Sequence, residues 1–208
     1  WLCARVLTAP EPGDEAWRAL DDLGSDRTVI ELGHALPADA TVCVLGWPER
    51  LGEVLVRRGD LEVLVVDTLD EGSGFVRALE RTDREAADVP LAGLGAAAAA
   101  ADVVLLDLLA AGPTEGLCVA GSYAAAAVAR AAGREVWAVA GRGRLLPTRM
   151  WEALITRVEE PAEAWELDED RVPLSLVDRI AGHDGLEPVA EGLRRIDCPV
   201  APELLRRI

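Results

Sequence analysis

Asp107 ends the apolar run "DVVLLDLL" (102–109), where its carboxylate would be partly removed from water. Desolvation disfavours the charged form of a carboxyl group, so we expect a raised pKa at this position. A carboxylate of this kind suits proton transfer, which is general acid–base chemistry. The alternative is that Asp107 accepts hydrogen bonds from backbone N–H groups of the following loop. The residues alone leave both interpretations open.

A second candidate is the turn Gly121-Ser122-Tyr123, which leads into the alanine-rich stretch "AAAAVARA" (124–131). We expect Ser122 near the cap of a helix, and the first N–H groups of a helix are unpaired and attract anions. The turn could therefore hold a phosphate group. The alternative, which the local sequence favours, is a capped corner that lets the helix pack closely.

Two arginines, Arg142 and Arg144, flank a glycine in "GRGRLLP" (141–147), directly after an apolar run. Guanidinium groups bind carboxylates and phosphates through paired hydrogen bonds, so the pair indicates recognition of an anion. The alternative is a pair of solvated loop charges that bridge to nearby acidic residues.

The sequence lacks the residue patterns that a metal site or a dinucleotide cofactor needs. The four cysteines are scattered without a CxxC pair or partner histidines, so we expect no metal site. Cys43 and Cys118 lie in apolar segments, where a buried, inert thiol is usual. The stretch "GLGAAA" (93–98) matches a dinucleotide fingerprint but lacks the acidic residue about 20 positions on. We therefore expect no cofactor.

Charge limits the partners of this protein. Thirty-seven acidic residues and 21 basic residues, all of them arginine, give a net charge of −16 over 208 residues. This balance repels phosphate backbones and anionic lipids, so we expect no nucleic-acid or membrane partner. A local field can still attract a small anion. No apolar run approaches the length of a membrane span, and no secretory signal is recognisable, so we expect a soluble cytoplasmic protein.

These candidate residues depend on a framework of short apolar runs that alternate with helical patterns. The runs lack polar alternation, which is typical of a parallel sheet covered on both faces. We expect an α/β fold with an open, mostly parallel, doubly wound sheet in three layers. The predicted strands are 41–46, 61–67, 89–95, 102–109 and 135–141, and the predicted helices between them are 48–58, 74–86, 95–101 and 121–133.

The ends of the chain read differently from its middle. Residues 1–36 are assigned to an amino-terminal region with two short predicted helices. These are "DEAWRALDDLG" (14–24) and "RTVIELGHALP" (27–37), and the second reaches the boundary with the sheet domain. The sheet domain is assigned to residues 37–158, and it closes with a helix that begins near Pro147. Residues 159–208 are punctuated by prolines, and we expect a tail that packs on the domain and ends in a short helix.

The order of these segments resembles a family that contains the alpha, beta and delta subunits of initiation factor 2B. Methylthioribose-1-phosphate isomerase and ribose-1,5-bisphosphate isomerase belong to the same family. The resemblance covers about residues 28–150, and it rests on "VIELGHALPADATVCVLG", "LEVLVVDT", "DVVLLDLLAAG" and "GSYAAAAVARAAGREVWAVAGRGRLLP". It implies a Rossmann-like domain whose preceding helical domain is largely missing here.

The chain departs from this family where the isomerases act. Their cysteine after the first strand is replaced within Leu45-Gly46-Trp47, and their Asn-Lys pair is replaced by Cys118-Val119. The arginine of the family's Glu-Thr-Arg becomes Leu69. Asp107 and Arg144 match functional positions of the family. Losing a proton-transfer group alone costs about 10²–10⁴-fold in rate, which argues against catalysis.

The resemblance therefore implies a non-catalytic interaction or regulatory module, expected as a homodimer, with residual binding of a phosphorylated small molecule. Gly121, Ser122, Tyr123 and Arg144 would carry that binding, with Arg142 beside them. One alternative is a divergent aldose–ketose sugar-phosphate isomerase that uses Asp107. Another is a part in translation initiation, which rests on fold analogy alone.

Overall fold

The computed structural model describes residues 1–159 and 163–205. Its helices are α1 (Leu2–Thr8), α2 (Pro12–Gly24), α3 (Thr28–Ala35), α4 (Glu49–Arg57), α5 (Gly72–Glu80), α6 (Leu94–Ala100), α7 (Ser122–Ala131), α8 (Thr148–Glu159) and α9 (Val189–Gly192). Its strands are β1 (Thr41–Leu45), β2 (Glu62–Asp67), β3 (Glu85–Pro90), β4 (Val103–Asp107), β5 (Ala110–Ala111), β6 (Glu115–Val119), β7 (Glu135–Val139), β8 (Glu169–Pro173), β9 (Arg179–Gly182) and β10 (Gly185–Pro188).

The central sheet has seven strands in the order β10-β9-β7-β4-β1-β2-β3. All neighbours pair in parallel except β10, which pairs antiparallel with β9. This arrangement confirms the predicted α/β fold with an open, mostly parallel sheet. From β1 the chain proceeds outward to β2 and β3, then returns to β4 on the other side of β1. The point where the direction reverses lies between β1 and β4, and ligands bind at such points in open α/β sheets.

Alternate residues of the strands enter two separate cores, as the two-residue period of a strand requires. In β1, Val42 and Val44 face a core that α3, α4 and α5 cover. Cys43 and Leu45 face the opposite core, which α6 and α7 cover with small alanines. The sheet is therefore buried on both faces, and the molecule has three layers. The inner strands, such as β1 and β4, lie under apolar side chains on both sides, which explains their continuous apolar sequences.

A smaller antiparallel sheet, β5-β6-β8, stands beside the central one. A third apolar core lies near it and contains Leu117 of β6, Trp151 of α8 and Ala4 of α1. The sequence analysis did not identify β5, β6 or β8, because short strands of mixed polarity carry little periodic signal. Helix α1 also went unrecognised.

The predicted strand 89–95 is wrong in position. The third strand is residues 85–90, and residues 91–93 form a single 3₁₀ turn before α6. This strand is at the edge of the sheet and most of its residues are exposed, so "EAADV" has none of the apolar run that marks buried strands. The preceding helix consequently ends at Glu80 and not at residue 86.

The segment that follows α8 contributes structure that the sequence did not reveal. Strands β9 and β10 extend the central sheet beyond β7, and β8 completes the small sheet. Pro202–Leu205 forms a short 3₁₀ helix near the end of the chain. The domain boundaries at residues 36 and 158 stay predictions. Across residues 1–159 and 163–205, no helix is long and apolar enough to cross a membrane.

Candidate functional site

A pocket of about 100 Å³ opens at the switch point, between the carboxyl ends of β1 and β4. Asp107, Ser122 and Arg144 all line it, so the structure brings together three of the residues that the sequence singled out. The loop after β1 closes one side with Trp47 and Glu49. Arg142, Gly121 and Tyr123 lie outside this lining. The pocket combines the carboxylates of Glu49 and Asp107, the Ser122 hydroxyl and the guanidinium groups of Arg50 and Arg144 with otherwise apolar walls.

Burial raises the pKa of Asp107, in the direction that its place at the end of an apolar strand predicted. The backbone N–H of Arg50, in the first turn of α4, donates to Asp107 Oδ2 at 3.3 Å and opposes that rise, as do the charges of Arg50 and Arg144. The hydrogen bond comes from the first turn of α4 and not from the loop that follows Asp107. Asp107 therefore accepts a hydrogen bond from a backbone N–H, as the second interpretation expected, but the donor is Arg50 and not a residue of the following loop.

The N–H groups of the Gly121 turn bind a carboxylate of the same chain, that of Asp170. The Asp170 carboxylate of β8 accepts hydrogen bonds from the N–H groups of Gly121 and Tyr123, each at 2.9 Å. Gly121 has φ +93°, a left-handed conformation that favours glycine. The Ser122 side chain is buried, and Tyr123 is half exposed. Asp170 thus occupies the place that the sequence analysis considered for a phosphate.

The two arginines of "GRGRLLP" lie in the loop between β7 and α8. Arg144 Nη1 donates to the carbonyl oxygen of Leu109 at 2.7 Å, and within the described ranges no carboxylate lies within 4 Å of its guanidinium. Arg142 is anchored by its backbone N–H, which donates to Asp26 Oδ2 at 2.8 Å. Its Nη1 lies 3.9 Å from Asp197 Oδ2. The loop therefore presents both cations next to the switch point.

Asp26, between α2 and α3, is the hub that ties the amino-terminal helices to this edge of the sheet. Its carboxylate accepts bonds from the N–H and hydroxyl of Thr28, from Arg50 Nη1 at 3.0 Å, and from the N–H of Arg142. Burial opposes ionisation, but these donors together lower the pKa of Asp26. His183 Nδ1, 3.9 Å from Asp26, accepts a hydrogen bond from the Arg27 N–H.

The sequence analysis missed Asp26 and Arg50 as functional candidates. The available signals were an aspartate two residues before a helix and an arginine in the first turn after β1. Neither signal distinguishes a local cap from a hub that joins distant segments, because that distinction needs the tertiary fold.

The two cysteines nearest the switch point are enclosed. Cys43 and Cys118 have no exposed surface. Burial raises the pKa of Cys43 to about 12, and burial with the nearby charges of Asp107 and Asp170 raises the pKa of Cys118 still further. A thiolate is the reactive form of cysteine, so neither side chain is equipped to act as a nucleophile or proton carrier. This agrees with the inert role that their apolar surroundings predicted.

The fold matches solved structures of initiation factor 2B proteins, although no protein-family model and no curated protein matches the sequence. eIF2B beta from Chaetomium thermophilum has a TM-score of 0.71 at 15% identity, and the match covers 94% of this chain and 63% of that one. The Pyrococcus horikoshii initiation factor eIF-2B has a TM-score of 0.68 at 12% identity, covering 86% and 70%.

A third match is the delta subunit of eIF-2B from A. fulgidus, with a TM-score of 0.65 at 14% identity over 98% of this chain and 70% of that one. This chain accordingly has the fold of these initiation factor 2B proteins along nearly its whole length. It spans less than two thirds of the Chaetomium beta subunit, since 63% of that subunit is covered. At these identities the likeness defines the fold.

Proposed function

We propose that this protein is a non-catalytic, initiation factor 2B-like regulatory module that binds a phosphorylated small molecule in the switch-point pocket. Arg144 would hold the phosphate, and Asp107 and Ser122 would bind the hydroxyl groups of the ligand. Gly121 and Tyr123 receive a supporting role, because their N–H groups already bind Asp170 and so fix the turn that carries Ser122.

The observation that carries this proposal is the combination of residues in the pocket. Arg144 and Asp107 face the same cavity, whereas both neighbouring thiols, Cys43 and Cys118, are fully buried. Aldose–ketose isomerisation needs a group that removes a proton from one carbon and another that serves the oxygens. Asp107 is a candidate for one of these tasks, and no thiol among the described lining residues could share them.

Arg144 is suited to bind an added phosphate. Its side-chain hydrogen bond is to the neutral carbonyl oxygen of Leu109, and within the described part of the chain no carboxylate lies within 4 Å of its guanidinium. A guanidinium carries five N–H donors, which leaves several for a ligand. The Asp107 carboxylate in the same pocket would repel an anion, and the attraction of the Arg144 guanidinium must exceed that repulsion for binding.

Calorimetric titration with ribose 5-phosphate and ribose 1,5-bisphosphate tests the proposal. We expect binding, and we expect Arg144→Gln to weaken it at least about tenfold, because a charge-assisted hydrogen bond contributes about 1.5–3 kcal/mol. Arg149→Gln is the matched control, since Arg149 is exposed on α8 and outside the pocket. Absence of any heat of binding at millimolar ligand would contradict the proposal.

The alternative is a divergent isomerase, which the raised pKa of Asp107 inside the pocket favours. Incubation with ribose 1,5-bisphosphate or methylthioribose 1-phosphate, followed by NMR of the sugar carbons, separates the two functions. We expect no turnover. Turnover that disappears in Asp107→Asn would establish the isomerase and reject the non-catalytic assignment.

We also propose that the module works in the cytoplasm as a homodimer. A solved complex of relatives, the eIF2B beta2-delta2 complex from C. thermophilum, is tetrameric, which supports assembly through this fold. Trp47, Leu69 and Leu91 are 47%, 45% and 53% exposed in the loops after β1, β2 and β3, and together they offer apolar surface at one edge. Sedimentation equilibrium should give twice the chain mass, and a monomer at every concentration would reject this assignment.

A further inference from the structure

A cleft of about 520 Å³ adjoins the switch-point pocket and shares Arg50, Leu109 and Arg144 with it. Arg142 and Arg157 also line the cleft, so four arginines meet there. No acidic residue is among the described residues of the lining. Arg50 and Arg142 contact the carboxylates of Asp26 and Asp197. The side chain of Arg144 instead donates to the neutral carbonyl oxygen of Leu109, so the binding of an anion is assigned to Arg144.

The remaining walls are apolar. They come from the amino-terminal helices and from α8, and they include Leu2, Leu23, Met150 and Leu154. The described side chains of the lining donate hydrogen bonds, but they include no carboxylate, amide or hydroxyl acceptor. A polyhydroxylated ligand would leave its hydroxyl groups unpaired against such walls, which costs free energy.

The shape of the cleft is built in advance by two glycines. A Cβ atom on Gly141 would lie 1.9 Å from Arg50 Nη1, so only glycine lets that guanidinium pack against the loop. A Cβ on Gly143 would lie 2.8 Å from Trp1 Cβ, and Gly143 has φ +80°. The Trp1 indole is held by a 2.8 Å hydrogen bond to Asp197.

Two donors in the cleft's arginines remain without a partner. The Nε atoms of Arg50 and Arg142 are buried, and no hydrogen bond reaches them within the described residues. Because these two atoms are enclosed by protein, they do not contact a ligand in the cleft, and they show that both guanidinium groups are held with part of their hydrogen-bonding capacity unused.

We infer that this cleft binds an organic anion with an apolar body, with its charged group at Arg144 and its body against α8 and the amino-terminal helices. The inference rests on the proposed function and deepens it by naming the ligand class. A cavity of 520 Å³ is within the size range of small-molecule sites. The charged group is a phosphate or a carboxylate, which the guanidinium binds in the same way.

Calorimetry with four probes tests the inference on the full chain: inorganic phosphate, ribose 5-phosphate, phenyl phosphate and benzoate. We expect phenyl phosphate to bind at least about tenfold more tightly than ribose 5-phosphate or inorganic phosphate, because its ring leaves water. Comparison of phenyl phosphate with benzoate identifies the preferred charged group.

Leu154→Gln should abolish this preference by weakening the binding of phenyl phosphate, because a polar side chain replaces part of the apolar wall. Leu20→Gln is the matched control, since Leu20 is 47% exposed on α2 and outside the cleft. Equal affinities for ribose 5-phosphate and phenyl phosphate would overturn the inference and preserve the proposed function. Failure of all four probes would overturn both. A preference that survives in Leu154→Gln would also overturn the placement of the apolar body.

Discussion

Asp170 caps helix α7 from a different element, strand β8, and replacing it tests how the turn at Gly121 is held. In Asp170→Ala the N–H groups of Gly121 and Tyr123 both lose their 2.9 Å acceptor. Hydrogen bonds to charged groups contribute about 1.5–3 kcal/mol, and loss of an N-cap side chain costs about 0.5–2 kcal/mol. Asp170 is half-buried, so water replaces part of this. We expect a loss of about 1.5–2.5 kcal/mol in the free energy of unfolding.

Urea titration followed by circular dichroism measures this loss, and Asp170→Asn separates charge from geometry. The asparagine oxygen can accept the same two hydrogen bonds without the charge, so a smaller loss of about 0.5–1 kcal/mol is expected. Asp168→Ala is the control, because Asp168 is exposed and its bond to the described residues is made by its backbone carbonyl, which accepts from the Ala120 N–H at 2.8 Å. If Asp170→Ala were as stable as Asp168→Ala, the carboxylate would not be the cap of α7.

Three further substitutions test the hub, the loop and the pocket. Asp26→Ala should lower the free energy of unfolding by about 1.5–3 kcal/mol at pH 7, because it leaves the half-buried Arg50 guanidinium without this carboxylate partner. The stability of the wild type should also fall as pH falls through the lowered pKa of Asp26. Gly141→Ala should lower the free energy of unfolding by about 1–3 kcal/mol, because the added Cβ displaces Arg50. Gly95→Ala is the control: it lies within α6 with its nearest neighbour at 4.0 Å, and in the same urea assay it should raise the free energy of unfolding by about 0.5–1 kcal/mol. Asp107→Asn should be more stable than the wild type at pH 7, and the difference should vanish at pH 3, because the raised pKa means that ionisation of Asp107 opposes folding; equal urea midpoints at pH 7 would contradict this.

The sequence predicted the parts of the fold that depend on burial. Strands β1 and β4 are apolar apart from Thr41 and Asp107 at their ends because both faces of the sheet are covered, and that pattern needs no tertiary information. The position of edge strand β3 was not predicted correctly because most of its residues face water. Strands β9 and β10 were not predicted because their few buried residues lie next to glycines and a proline.

For the site, sequence reasoning found Asp107 and Arg144 because each directly follows or ends an apolar strand. It could not find the contact between Asp170 and the Gly121 turn, because the two are 49 residues apart and meet through a strand that was not recognised. The same reason hides Asp26, whose partners Arg50 and Arg142 are distant in the chain.

The exposed margins of the central sheet restrict how copies of this protein can associate. At one margin, β3 carries Glu85 and Asp88 on its surface and ends in Pro90, which has no N–H to donate. At the other margin, β10 ends in Pro188, and its Glu187 is paired with Arg195. Charges and prolines at both margins therefore disfavour growth of the central sheet by added strands, which favours association of copies through helices or loops.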